Sequence, residues 1–104
     1  MIHTANAARG EASVNVKNAA VMLRPTFAAL VAAEEELGPL FALVERAADG
    51  GLKLSEMVSL FWHCCHDAAP PMTREEFSEA IAEAGLAAAT PALKILLGQI
   101  LGGR

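Results

Sequence analysis

Glycine and proline cut this chain into short apolar segments, and that punctuation limits what it can fold into. Gly38-Pro39, Asp49-Gly50-Gly51, Pro70-Pro71, Gly85 and Thr90-Pro91 follow one another closely. Proline restricts itself and its predecessor, and glycine favours helix ends and turns, so each site marks a boundary. Between the boundaries, apolar residues recur at helical spacing. No apolar run approaches the roughly 18 residues of a membrane span. A bundle of short helices is the natural solution.

The N-terminal part reads differently. Residues 1–10 are small and polar without a period, and a loose arm is expected there, followed by a single domain over 11–104. In EASVNVK, Val14 and Val16 share one side of an extended segment. Asn18 supplies a turn, and AVMLR, Ala20 to Arg24, gives a second short strand. A β-hairpin is predicted, and a two-stranded hairpin needs a surface to pack on.

Five helical segments follow. Thr26 caps a helix to about Leu37, with Phe27, Leu30, Val31 and Leu37 as its expected buried stripe. Glu34, Glu35 and Glu36 crowd its end, where the helix dipole disfavours negative charge. A solvated charge run is the plain reading, and a basic partner would relieve the crowding. Pro39 opens a second helix to about Ala48, with Leu40, Phe41, Leu43, Val44 and Ala47 on its apolar face. The third, Leu54 to His66, has the cleanest amphipathic pattern: Leu54, Met57, Val58, Phe61, Trp62 and Cys65. After the Ala68–Pro71 linker, Thr73 and Glu76 have capping-box spacing, so a fourth helix starts at Arg74 and buries Phe77, Ala80, Ile81 and Ala84. Gly85 ends it, and Thr90-Pro91 starts a last helix over 92–101. The predicted fold is α+β and mostly helical, with the hairpin packed on four or five helices.

Charge narrows the function. The net charge is −4, and the eight basic residues are scattered along the chain. No positive stripe follows a phosphate backbone, so nucleic-acid binding is not expected. The N-terminus lacks the apolar core of a signal peptide, and a cytoplasmic location with reduced thiols is expected.

FWHCCHDA, residues 61–68, is the one segment that resembles chemistry. On a helix at about 100° per residue, Cys65 falls on the buried stripe, Cys64 flanks it, and His63 and His66 lie on the polar side. His63 and Cys65 point about 160° apart, so the four side chains do not converge on one tetrahedral ion. Asp67 could join the two histidines, but no second ligand pair exists and His3 lies in the arm. The cysteines read as small buried apolar groups, and the histidines as a favourable helix terminus. There is no C-x-x-C, no phosphate-binding glycine loop and no nucleophile elbow. No enzyme activity, metal or cofactor is expected.

The stretch from Arg9 through Phe61 carries a resemblance: Gly10-Glu11, Leu23-Arg24, Thr26, Ala29-Leu30, Glu34 or Glu35, Leu37-Gly38, then Leu40, Val44 and Gly50-Gly51. It resembles a family of short tail proteins of gene transfer agents and related prophages, described as tail assembly chaperones and also labelled tail tube proteins. The likeness covers residues 10–68 and, loosely, the final helix. The sequence departs from it at Asn18-Ala19, where relatives carry a turn glycine, and at His63–His66, where they often carry a glycine-rich end. The resemblance implies no catalytic or cofactor residue. It implies a protein partner, the tape-measure or another tail protein, and a cytoplasmic or virion-associated role.

The last helix is where such a partner would bind. Leu93, Ile95, Leu96, Leu97, Ile100 and Leu101 surround it, and a helix apolar all round needs cover on several sides. Leu93, Leu96, Leu97, Ile100 and Leu101 are the candidate partner-binding residues. A second copy is another source of cover, making a homo-oligomer, and the plainer reading is a central core helix. Structural tail subunit and unrelated helical adaptor are the competing functions. Tube subunits are typically longer and β-rich, which favours the chaperone.

Overall fold

A computed structural model describes residues 12–16, 19–65 and 72–102. The expected arm, the hairpin turn at Lys17-Asn18, His66, Asp67 and the Ala68–Pro71 linker lie outside the described residues. The elements run β1 (Ala12–Val16), β2 (Ala19–Leu23), α1 (Phe27–Leu37), α2 (Leu40–Ala48), α3 (Leu54–Cys64), α4 (Arg74–Ala84) and α5 (Leu86–Gly102). The chain is therefore mostly helical α+β, as expected.

The strands pair antiparallel, with Ala12 opposite Leu23 and Val14 opposite Val21. These four side chains face inward and are buried, while Ser13, Asn15 and Ala20 are exposed, the period-two pattern of a half-buried sheet. β1 packs on α4 and α5, which supply the surface the hairpin needs. The end of β2 is also tied to the end of α3. Leu23 pairs with Cys65 as an isolated antiparallel bridge, and the Arg24 N–H donates to the Cys64 carbonyl at 2.8 Å.

α3 lies at the centre, between α1 and α4. It buries Met57, Val58, Ser59, Leu60, Phe61 and Cys64. Fully enclosed Phe61, Phe77, Leu23, Leu43, Leu60, Ile81 and Leu96 form the middle of the core. Trp62 and Phe77 meet with ring centroids 5.7 Å apart and tilted by 53°, a favourable aromatic geometry.

The helix ends follow local chemistry. Thr26 Oγ1 accepts from the Ala29 N–H, and Gly38, at φ 87°, closes α1. Thr73 and Glu76 form the expected capping box. Gly85, at φ 95°, lets the chain bend by 113° between α4 and α5. No single described helix is long and apolar enough to cross a membrane.

Several expected faces are rotated. On α1, Phe27 is 84% exposed and Val31 is exposed, whereas Ala33 is fully buried and Ala29, Leu30 and Leu37 are partly buried. α1 is apolar on most sides, so its pattern did not choose a face; its small alanines and Glu36 turn toward α3. On α2, Leu40, Leu43 and Val44 are buried, but Phe41 is 71% exposed. On α3, Leu54 is 43% exposed because it sits in the first turn, beyond the core. Cys64 takes the fully buried place expected of Cys65, because the helix stops at Cys64 and Cys65 leaves it to pair with Leu23. Ala84, in the last turn of α4, is exposed.

The last helix begins earlier than Thr90-Pro91 implies. α5 starts at Leu86 and carries Pro91 inside it. Ala87-Ala88-Ala89 is strong helix-forming sequence and extends the helix ahead of the proline. Pro91 lacks the N–H that would bond back to the Ala87 carbonyl, and beside it Thr90 Oγ1 donates to the Leu86 carbonyl at 2.9 Å.

Candidate functional site

The earlier start of α5 helps to create a surface groove. At about 100° per residue, Leu86, Thr90, Leu93, Leu97 and Ile100 fall on one stripe, with Lys94 and Leu101 at its edge. The adjacent arc, about 90° round the helix, carries Ala89, Ala92 and Leu96, which are buried in the core. The N-terminal half of the stripe forms one wall of a groove of about 220 Å³. Ala47 and Gly50 from the end of α2, and Leu52, Lys53, Leu54 and Met57 from the start of α3, form the others. This volume is below the roughly 300–1,000 Å³ typical of small-molecule pockets. It suits inserted side chains better than a free ligand.

The helices behind two of these walls are joined by an ion pair. Arg46 donates through Nη1 to both oxygens of Glu56, at 2.7 and 2.6 Å, joining α2 to α3. Glu56 Oε1 also accepts from the Lys53 N–H at 3.0 Å, capping α3. The Arg46 hydrogen bond, followed by that from the Lys53 backbone, holds the Glu56 carboxyl below the usual range.

The predicted partner residues divide between surface and core. Leu93 lines the groove. Leu97 and Ile100 are partly buried farther along α5, and Leu101 is 58% exposed. Leu96 is fully enclosed and serves the core. Sequence reasoning missed Leu54 and Leu86, both exposed and both in the groove wall. The signal for Leu86 was its spacing of seven residues from Leu93, hidden by reading Pro91 as a start.

A second depression, of about 390 Å³, lies on the other side of Leu54, lined also by Ser55, Val58, Ser59, Arg74 and Ser78. Its cation is already committed. Arg74 Nη2 donates to Glu36 Oε2 at 2.5 Å and to Ser59 Oγ at 2.6 Å. Ser59 Oγ lies 3.2 Å from Glu36 Oε2, and His63 Nε2 lies 2.8 Å from Glu36 Oε1. The Arg74 hydrogen bond, with His63 next, lowers the Glu36 carboxyl to about 2. Glu36, the last of the acidic run, thus has its basic partners within the chain. Glu34 is occupied as well: its Oε2 accepts from the Leu40 N–H at 3.1 Å, at the start of α2. This cluster ties α1, α3 and α4 together.

The cysteine pair lacks an activating setting. Both are free thiols. Burial, with the neighbouring Cys65 second, pushes Cys64 up to about 12, and burial also raises Cys65. A thiol that resists ionisation is a poor nucleophile and metal ligand. Among the described residues, no group of three His, Cys, Asp or Glu side chains could hold a metal ion.

A family model described as "Phage tail tube protein, GTA-gp10" matches residues 9–103. The chain belongs to this family of gene transfer agent and phage tail proteins. The match runs through α4 and α5, so the groove and the apolar stripe fall within the family region. Searches of curated proteins and of solved structures gave no match.

Proposed function

We propose that this member of the GTA-gp10 family is a non-enzymatic tail assembly chaperone of the bacterial cytoplasm. It receives an amphipathic helix of another tail protein, such as the tape-measure protein, along α5. The observation that carries this reading is the groove walled by Leu54, Leu86 and Leu93, continued by Leu97, Ile100 and Leu101. An exposed apolar groove beside a helix is a common acceptor for a helical segment, with anchors at i, i+3, i+4 and i+7.

Co-expression with the tape-measure protein, followed by pull-down, tests the proposal. Recovery of a soluble complex, reduced at least about tenfold by Leu93→Glu, is expected for a central anchor. Absence of a complex, with both proteins folded and soluble, counts against it. The family's description favours a second reading, a structural component of the tail tube. That reading requires the chain in purified particles, so particle proteomics and electron microscopy separate the two.

A further inference from the structure

We infer that the groove along α5 also accepts α1 of a second copy of this chain, head to tail. The two surfaces are complementary within one molecule. The outer stripe of α1 presents Phe27 and Val31, both exposed, and then Glu35. Glu35 has no partner among the described residues. The groove presents apolar walls from Leu54, Leu86 and Leu93 and is lined by Lys53, with exposed Lys94 next to Leu93 on the α5 side and exposed Asp49 next to Gly50 on the α2 side. Glu56, which feels the Lys53 charge, is already held by Arg46, and Lys94 has no partner among the described residues. One surface is therefore apolar with an acidic edge, and the other is apolar with basic groups along its α3 and α5 sides.

The spacing also agrees. Phe27 to Glu35 and Leu86 to Lys94 are equal separations along two helices, about 12 Å each at 1.5 Å per residue. Parallel docking places Phe27 near the Leu86 end of the groove and Glu35 beside Lys94. Pairing α1 with α1, or groove with groove, would instead oppose like charges. Head-to-tail docking joins a different surface of each copy, so the contact is heterologous and leaves a free knob and a free groove at the ends. The proposal concerns the same groove as the partner helix, so self-association and partner capture exclude each other. It is nevertheless tested on the chain alone, and failure to capture a tail partner leaves it standing.

The test is light scattering coupled to size exclusion over a concentration series, with folding checked by circular dichroism. The wild-type chain is expected to associate with concentration and to weaken in high salt. Phe27→Asp and Leu86→Asp each alter an exposed side chain, and each alone should be monomeric. Mixed in equal amounts they should form a dimer that grows no further, because one retains its groove and the other its knob. Glu35→Lys should weaken association, and adding Lys94→Glu in the same chain should restore it. A wild-type chain that stays monomeric at every concentration overturns the inference. So does a mixture of the two variants that stays monomeric, or a charge swap that restores nothing.

Discussion

α3 and α5 are both strongly apolar helices, yet the fold treats them differently. α3 runs through the centre, and most of its polar positions are occupied: Ser59 and His63 meet Glu36, and Glu56 meets Arg46. α5 buries one arc through Ala89, Ala92 and Leu96 and leaves Leu86 and Leu101 half open. An apolar sequence therefore does not by itself say whether a helix is core or contact surface. The number of neighbours decides. The hairpin and α4 cover α5 on one side, and α2 covers part of another, which leaves a stripe of the helix uncovered.

The largest expected effect tests the enclosed helix. Phe61→Ala removes a fully buried ring between α3 and its neighbours and should cost about 3–5 kcal/mol in chemical denaturation. A loss near zero would mean that α3 is not the centre of the core. The next effect concerns the charged cluster beside α3. The Glu36 carboxyl is lowered to about 2 from an ordinary value of 4.5. A group lowered in the folded state adds stability above its unfolded value, and the gain fades as pH falls through the folded one. The thermal midpoint should therefore fall between about pH 4.5 and pH 2. Glu36→Gln should flatten much of that fall, leaving a smaller acid sensitivity from Glu56, which is lowered in the same direction. Equal acid sensitivity in both proteins would exclude a stabilising role for the cluster. The solvent exposure of Glu36, with 39% of its side chain accessible, keeps the effect below that of Phe61.

The sequence was most legible where the signal is local. Thr73 and Glu76 announced α4 three residues apart, and Val14 and Val16 announced the first strand of the hairpin by alternation. It was least legible where a choice depends on distant residues. α1 is alanine-rich and apolar on most sides, so its pattern could not tell Phe27 from Ala33 as the buried face. The cluster that helps fix the rotation joins Glu36 to Ser59, His63 and Arg74, separated from it by 23 to 38 positions. Cys64 and Cys65 exchanged places because the end of α3 is set by β2, through Leu23 and Arg24. The groove had half a signal: Leu93 was in view, while Leu86 was hidden behind a proline that the helix tolerates.

The smallest stability effect is expected on the open stripe. Leu101 is 58% exposed near the end of α5, so Leu101→Ala removes little that folding has taken from water. Its cost should stay within about 0.5 kcal/mol, the range of surface substitutions. Leu96, five residues earlier and fully enclosed, should lose about 2–5 kcal/mol on the same truncation. Denaturant titrations of the two variants thus measure the two sides of one helix. If Leu101→Ala were as costly as Leu96→Ala, the end of α5 would be part of the folded core, and the surface assigned to a partner would shrink to the groove around Leu54, Leu86 and Leu93. If the costs differ as expected while Leu101→Ala also weakens capture of the tail partner, the exposed side of α5 is retained for contact rather than for folding.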